Sequence, residues 1–185
     1  MTGPSGAGKG TLIKRLLSAL PQLEVAISAT TRARRPNEEN GREYWFISPE
    51  EFQARVDADD FLEHVDYVSG KRYGTLVSEI DRIAVKGKVC VLELELDGAL
   101  AVKARIPGAV AVFIEAGVEE LERRLRERAT ESDGEIEERV ALARLQLAQR
   151  DRFDYVVVND DLDRAAAELT EVVRSVTAAA ATMPA

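Results

Sequence analysis

Cysteine and histidine are almost missing from this 185-residue chain, which has one of each, Cys90 and His64. A single cysteine excludes an internal disulfide framework and favours a reducing compartment, so we expect a cytoplasmic protein. Cys90 lies in the apolar run VCVLEL and is predicted to be a small core residue. His64 is not predicted to be a metal ligand, since no partner stands at ligand spacing.

Long apolar runs are missing too. None approaches the roughly 20 residues of a membrane span, and the chain enters a glycine-rich stretch at once, where a signal peptide would be apolar. The net charge of −8 argues against broad nucleic-acid binding. We therefore expect neither a membrane nor a nucleic acid as partner. Two arginine-rich segments, TTRARRPNEENGR and LERRLRERATE, oppose the acidic balance and predict small anions as ligands.

What the chain does contain is the alternation of strands and helices that is typical of an α/β fold. Leu12, Ile13 and Leu16 keep helical spacing in a helix that Pro21 ends, and Ser48 is a predicted helix cap. The predicted strands are rich in β-branched residues, and helical sequence separates the last three. They are EVAIS, YWFIS, VCVLELEL, AVAVFIEA and DYVVVND.

Polar side chains end the last three predicted strands: Glu93 and Glu95, then Glu115, then Asn159. In open parallel sheets, ligands bind outside the carboxyl ends of the strands. A carboxylate within a strand that is covered on both faces would be costly to bury. These residues are therefore predicted to face a solvent-filled cleft. The alternative is that they lie on the exposed face of an edge strand.

The most specific signal is Gly3-Pro4-Ser5-Gly6-Ala7-Gly8-Lys9, which has the G-x-x-x-x-G-K spacing of a phosphate-binding loop. Glycines allow the backbone N–H groups to turn around a phosphate chain, and the following helix adds its positive end. Lys9 contributes a charge toward the outer phosphates. Gly10 follows, where Ser or Thr is usual, and Thr11 comes next.

A second signal is the segment SATTRARRPNEENGREYWF. Arg32 and Arg35 could converge on one phosphate, because guanidinium forks match its oxygens. Tyr44 supplies a hydroxyl donor nearby. A solvated basic loop is the alternative on this segment alone.

Taken together, these residues resemble the guanylate kinases from Gly3 to about Ala167. The matching motifs follow one order and spacing: GPSGAGK, SATTRARRP, GREYWFIS, FLEHVDY, YGT, RRLRERAT and VVVNDDLDRA. The resemblance implies one domain over 1–185, with a P-loop kinase core of parallel sheet flanked by helices. It also implies a nucleotide-receiving insert at about 29–78 and a helical lid at about 118–142. The implied reaction is ATP + GMP → ADP + GDP, with Mg²⁺.

The resemblance further assigns roles to residues. ATP would be bound by Gly3, Pro4, Ser5, Gly6, Ala7, Gly8, Lys9, Gly10, Thr11 and Asn159. GMP would be bound through its phosphate by Arg32, Arg35, Tyr44 and Tyr73, and through its base by Ser28, Glu63, Thr75 and Glu95. The catalytic set would be Lys9 with the lid arginines Arg124, Arg128 and Arg139. No residue is assigned as a direct metal ligand; Mg²⁺ would bind through the phosphates, with Glu93 reaching it through water.

The departures from the family pattern cluster around the acceptor. Glu93 and Glu95 stand where Asp is usual, and Lys71-Arg72 replaces Asn-Tyr. Two alternatives therefore stay open: a P-loop kinase of another small phosphate, such as a ribose bisphosphate, and a non-catalytic guanylate kinase-like binding module. The surviving Gly8-Lys9 and acceptor arginines favour an enzyme over a module.

The start of the chain carries a further expectation. Related kinases have several apolar residues before the position of Gly3, whereas here only Met1 and Thr2 precede it. We hypothesise that the chain begins late and lacks most of its first strand, so that Thr2 supplies only the last step. A strand of about 5–6 residues is usual.

Overall fold

The computed structural model describes residues 1–66, 70–127 and 133–181. The helices are α1 (Lys9–Ala19), α2 (Pro49–Asp57), α3 (Val77–Ala84), α4 (Leu96–Arg105), α5 (Val118–Glu127), α6 (Asp133–Leu147) and α7 (Leu162–Ala181), with a 3₁₀ turn at Arg150–Arg152. The strands are β1 (Leu23–Val25), β2 (Ala29–Thr30), β3 (Trp45–Phe46), β4 (Phe61–Asp66), β5 (Arg72–Leu76), β6 (Val89–Val91), β7 (Val112–Glu115) and β8 (Tyr155–Val158). No helix among the described residues is long and apolar enough to cross a membrane.

The chain divides into two compact units. Residues 1–21 and 108–185 form the first, here called the loop unit, and residues 22–107 form the second, here called the central unit. The predicted division into core, insert and lid stays a prediction, with the expected insert lying in the central unit and the expected lid in the loop unit.

The loop unit is built on two parallel strands. β7 pairs with β8 from Val112↔Tyr155 to Glu115↔Val158. Strand β7 is buried on both faces, since the consecutive residues Phe113 and Ile114 are fully covered, and Val157 of β8 is fully covered as well. Helix α1 packs against α7, because Leu12, Ile13 and Leu16 form the buried side of α1, as their spacing predicts.

The central unit contains a four-stranded mixed sheet in the order β3-β2-β5-β4, and a separate parallel pair of β1 with β6. A small core fixes the mixed sheet against α2, with the rings of Phe52 and Phe61 stacked at 4.5 Å. The predicted cap of α2 is confirmed, since the Ser48 hydroxyl accepts a hydrogen bond from the Glu51 N–H at 3.1 Å.

A buried carboxylate fixes the entry to β2. Glu79 on α3 is 4% exposed and accepts hydrogen bonds from the Ile27 N–H at 2.9 Å and the Trp45 indole at 3.3 Å. Arg82 neutralises it at 2.8 Å. The backbone just before Ser28 is thereby held to α3, which matters because Ser28 opens the predicted acceptor segment.

One predicted strand is shorter in the structure than expected, and one hairpin was not predicted. The predicted strand VCVLELEL ends at Val91, and α4 begins at Leu96 with Glu95 as its first flanking residue. The cost of burying alternating glutamates within a two-sided sheet explains why the strand is short. The β4–β5 hairpin was not predicted, because its residues FLEHVD and RYGTL carry weak strand alternation; its register shifts between Phe61 and Glu63.

Candidate active site

The glycine-rich loop has the backbone geometry that phosphate binding needs. Gly6 and Gly8 have φ values of 88° and 86°, a region that side chains disfavour. Gly8 caps α1, and the Ala7 N–H turns back to the Pro4 carbonyl at 3.1 Å. The first-turn N–H groups of an α-helix have no intrahelical acceptor, so the start of α1 presents donors and a positive dipole end to an anion.

The loop begins against strand β7. Thr2 makes a single parallel bridge with Phe113, through hydrogen bonds of 2.9 Å from its N–H to Val112 and 2.8 Å from Ile114 to its carbonyl. A side chain on Gly3 would overlap the Ile114 carbonyl. Thr2 therefore provides one step of strand pairing, and Gly3 allows the close approach that leads into the loop.

Two side chains hold the middle of the loop from within the same unit. Asn159, which follows β8 and is 3% exposed, donates its amide to the Ala7 carbonyl at 2.7 Å. Arg124 on α5 donates to the Gly6 carbonyl at 3.2 Å and to Glu120 at 2.6 Å. A side chain on Gly8 would overlap the Asn159 amide. The structure thus brings Asn159 and Arg124 to the loop.

Lys9 lies over the start of the loop. Its ammonium group donates to the carbonyls of Gly3 at 2.6 Å and Pro4 at 3.2 Å. The lysine charge is therefore already at the loop, together with the Arg124 guanidinium. Gly10 and Thr11 lie exposed in the first turn of α1.

The other lid residues are less defined. Arg139 lies half-buried on α6, which packs against α5, and its catalytic role stays a prediction. Arg128 falls outside the described residues. Glu115, predicted to face a cleft, forms an ion pair with Arg150 at 2.9 Å.

In the central unit, three of the predicted phosphate-binding residues form one cluster. The Arg32 guanidinium lies over the Tyr44 ring at 5.4 Å from its centroid, and the rings of Tyr44 and Tyr73 meet edge to face at 5.9 Å. The Glu38 carboxylate, and to a smaller extent Tyr73, raise the pKa of the Arg32 guanidinium. A guanidinium held beside two tyrosine side chains suits a phosphate.

Glu38 belongs to this cluster although it was not predicted. Its carboxylate forms a two-pronged pair with Arg32 at 2.7 and 3.0 Å and accepts from the Arg35 N–H at 2.8 Å. Arg32 lowers the pKa of Glu38. The available signal was the acidic stretch NEEN within the arginine-rich segment. The Arg35 side chain is exposed and makes no ion pair among the described residues, so Arg32 is pre-placed and Arg35 is not.

The predicted base-reading residues also come together. Glu63 on β4 pairs in register with Thr75 on β5, and both are buried, at 7% and 0% exposure. Within the described residues the Thr75 hydroxyl has no hydrogen-bond partner, although its proximity favours the charged form of Glu63. Ser28 precedes Ala29, the register partner of Gly74, which places Ser28 level with Thr75.

Burial perturbs the titration of two site residues. Desolvation, aided by the nearby Glu93 carboxylate, raises the pKa of Tyr44 to about 12, so its hydroxyl is a donor at neutral pH. Desolvation also raises the pKa of Glu63, and the charge of Glu95 adds to that rise. Perturbed acids of this kind are concentrated at functional sites.

The family departure at Arg72 has a structural explanation. Its guanidinium lies 4.5 Å from the centroid of the Phe52 ring and donates to Asp66 and Gln53 at 2.8 and 2.9 Å. These contacts join β5 to α2 and the end of β4. Arg72 is therefore a packing residue, whereas the next residue, Tyr73, contributes to the phosphate cluster.

Comparison with known proteins agrees with this arrangement. The family model described as guanylate kinase matches residues 1–176. The chain belongs to the guanylate kinase family. This match confirms the resemblance found in the motifs, and it does not favour the two alternative functions.

Individual relatives cover nearly the whole chain. The guanylate kinase of Rubrobacter xylanophilus is 47% identical over 179 residues, 96% of this chain and 93% of that protein. The guanylate kinase of Synechococcus elongatus is 43% identical over 176 residues, 95% of this chain and 96% of that protein. The crystal structure of guanylate kinase from Anaplasma phagocytophilum has a TM-score of 0.76 at 26% identity, covering 94% of this chain and 83% of that one. The predicted α/β P-loop kinase fold is confirmed.

Proposed function

We propose that this chain transfers the γ-phosphoryl group of ATP to GMP, giving ADP and GDP. The observation that carries the proposal is the presence, in one guanylate kinase family chain, of two anion-binding groups of different construction. One is the backbone loop of the loop unit; the other is the Arg32–Tyr44–Tyr73 cluster of the central unit. A kinase acting on a phosphate needs both a donor and an acceptor site.

The donor end is served by the glycine loop and α1. Backbone N–H groups surround the β- and γ-phosphates, and Lys9 moves its ammonium group from the Gly3 carbonyl to their oxygens. Asn159 keeps Ala7 in place and reaches the ATP nucleoside side of the loop. Arg124, already at Gly6, stabilises the charge that spreads over the transferring group. Arg128 and Arg139 are proposed to assist it.

Magnesium is proposed as the cofactor, bound mainly by the ATP phosphates. Among the described residues there is no cluster of three His, Cys, Asp or Glu side chains that could hold a metal alone. Mg²⁺ keeps several waters and is commonly bound by one or two carboxylates plus substrate phosphates, so a single carboxylate near the phosphates fits it. Glu93 is the proposed carboxylate, acting through water. The ion supplies charge neutralisation of the phosphates.

The acceptor phosphate is proposed to bind Arg32, Arg35, Tyr44 and Tyr73. Arg32 is positioned by Glu38, and Tyr44 donates its hydroxyl because its pKa is about 12. The exposed Arg35 side chain folds onto the phosphate when it arrives. An oxygen of GMP phosphate then attacks the γ-phosphorus in line, and the bond to the β-γ bridging oxygen breaks.

Base selection is proposed to rest on Glu63, Thr75, Ser28 and Glu95. Guanine presents N–H donors along its pairing edge, whereas adenine presents a bare ring acceptor at the same position. A buried carboxylate attracts the first and repels the second, and such polar mismatches discriminate by as much as about 10⁴–10⁵. The unpartnered Thr75 hydroxyl supplies a further hydrogen bond.

The partners are therefore small nucleotides, ATP and GMP. We propose the cytoplasm as the site of activity, because a chain with a single cysteine, the partly buried Cys90, suits a reducing compartment.

An ATP-coupled assay against a panel of acceptors tests the function. GMP should give the highest kcat/KM, with AMP, IMP and ribose bisphosphates far lower. Comparable values for GMP and AMP would disprove base selection. Binding of GMP without turnover would instead support the binding-module alternative.

A further inference from the structure

Gly98 occupies a helical position where the backbone does not require glycine. It lies buried in the first turn of α4. It is not among the glycines with positive φ. Glycine is less favourable than alanine inside a helix. Some other property of the position must therefore call for a residue without a side chain.

That property is the space beside Glu63. A Cβ added to Gly98 would lie 2.5 Å from Oε2, 3.2 Å from Cδ and 3.8 Å from Cγ of Glu63. All three of its nearest neighbours are thus atoms of one side chain. Real Cβ atoms essentially never approach other heavy atoms within 3.0 Å. The Glu63 carboxylate occupies the volume that a side chain at position 98 would fill.

The carboxylate is confined from two directions. Thr75 lies across the β4–β5 ladder from Glu63, and Gly98 faces the carboxylate from α4, which packs on β4. Glu63 is only 7% exposed. A methyl group at position 98 would meet the far end of a flexible side chain rather than backbone. The carboxylate would therefore move, and the helix would stay intact.

We infer that Gly98 is a specificity-determining positioning residue, which lets the Glu63 carboxylate lie against α4 where it meets the guanine edge. The inference rests on the proposed role of Glu63 in reading the base. Gly98 has no side chain with which to contact the nucleotide. It instead controls where the Glu63 carboxylate, which recognises the base, lies.

A small displacement is enough to matter. N–H···O hydrogen bonds are favourable at 2.7–3.2 Å and weaken steeply when bent. To restore ordinary contact of at least about 3.4 Å, the nearest carboxylate oxygen must move by roughly an ångström. Binding sites typically need their groups placed within about 0.5 Å. The moved carboxylate no longer pairs with both guanine donors.

The experiment uses the full chain with Gly98→Ala. GMP affinity is measured by titration calorimetry without ATP, and KM for GMP and for ATP by the coupled assay. We expect GMP Kd and KM to rise at least tenfold, KM for ATP to stay within twofold, and the GMP-to-AMP preference to fall. Tm should stay level or rise, since alanine favours the helix. A purely structural role would instead lower Tm and leave the preference unchanged.

A double-variant cycle with Glu63→Ala isolates the contact. Once Glu63 is shortened, the added methyl has room, so Gly98→Ala should raise Tm more in that background than in the natural one. It should also leave the GMP Kd of Glu63→Ala within twofold. Ala104→Ser, on an exposed position of the same helix, is the matched control and should change none of these quantities.

The outcomes separate the inference from the proposed function. Equal effects of Gly98→Ala on Tm and on GMP Kd in both backgrounds would overturn the positioning role, as would an unchanged GMP Kd in the single variant. If Glu63→Ala itself leaves GMP binding intact, the base-reading proposal fails, whereas the Tm cycle still tests the contact. Failure of both the single and the double variant to fold would also overturn the inference.

Discussion

The phosphate loop and the Arg32–Tyr44–Tyr73 cluster, the two proposed phosphate sites, are built in different ways. The loop uses consecutive backbone groups, with Asn159 and Arg124 holding their carbonyls. The Arg32–Tyr44–Tyr73 cluster would use side chains from the segment between β2 and β3 and from β5, which are far apart in the sequence. Arg32 in the cluster is held by the Glu38 carboxylate, whereas the loop is held through its backbone carbonyls.

This difference predicts how each region responds to substitution. Backbone donors survive most side-chain changes, so the loop depends on its glycines and on Lys9. The Arg32–Tyr44–Tyr73 cluster depends on individual side chains, and removing Arg32 leaves the Glu38 carboxylate without its guanidinium partner. The following variants test that contrast, from the largest expected effect to the smallest.

Lys9→Ala should have the largest effect. It removes the only side-chain cation contributed by the loop itself, and loss of one such preorganised charge typically costs about 10²–10³ in kcat. Tm should change little, because the Lys9 ammonium group donates to the Gly3 and Pro4 carbonyls of the loop itself rather than to a core side chain. Lys14→Ala, on the same helix and exposed, is the control. A kcat within threefold of the natural value would contradict the role of the loop.

Arg35→Ala and Arg32→Ala should separate phosphate binding from stability. Each should cost about 2–5 kcal/mol in GMP kcat/KM, as loss of a charge-assisted contact does. Only Arg32→Ala should also lower the free energy of unfolding, by about 1–3 kcal/mol, since it leaves the Glu38 carboxylate without its guanidinium partner.

Arg34→Ala is the control for this pair, because Arg34 is exposed and lies in the same segment. Denaturant unfolding and steady-state kinetics give both quantities. Unfolding caused by Arg35→Ala, with normal activity in the folded fraction, would make Arg35 a structural residue.

Glu63→Gln should lower the selectivity for the base and raise the stability of the fold. The GMP-to-AMP ratio of kcat/KM should fall at least tenfold, because the amide loses the charge that guanine donors prefer. Tm at neutral pH should rise, because burial raises the pKa of Glu63 and so disfavours the charged form that is present there.

The gain in Tm expected for Glu63→Gln should depend on pH in one direction. A raised folded-state pKa means that Glu63 stabilises the fold fully only below its ordinary value of 4.5, and that this contribution is lost as pH rises through the folded-state value. The Tm advantage of Glu63→Gln should therefore shrink on acidification. GMP affinity of the natural chain should fall on acidification at a higher pH than an ordinary glutamate would give. A pH-independent advantage would contradict this account.

Arg72→Ala should have the smallest effect on activity. Its guanidinium packs on Phe52 and pairs with Asp66, away from the phosphate cluster, so KM for GMP should stay within about twofold. Stability should fall by about 1 kcal/mol through lost cation–π packing. Tyr73→Phe at the next position is the comparison and should raise KM for GMP. A large rise in KM for GMP in Arg72→Ala would instead indicate that Arg72 contributes to acceptor binding.

The correct sequence predictions concern local patterns. The loop, the spacing of α1 and the Ser48 cap each depend on residues within one or two turns of one another. The β4–β5 hairpin was missed because its pairing is specified by partners and packing rather than by alternation. The strand at Val89 was extended too far, because apolar residues alternating with glutamates resemble a strand until burial is known.

The sequence by itself determined the family and the pattern of the glycine loop, and it predicted the acceptor residues, because those are carried by residue types at fixed spacing. Tertiary structure alone decided that Glu38 holds Arg32, that Arg72 turns to Phe52, and that Gly98 leaves room for Glu63. Two of these relations join residues on different elements, and the third closes the segment between β2 and β3 on itself. Their physical basis is excluded volume and the cost of burying unpaired charge, and neither acts until the chain has folded.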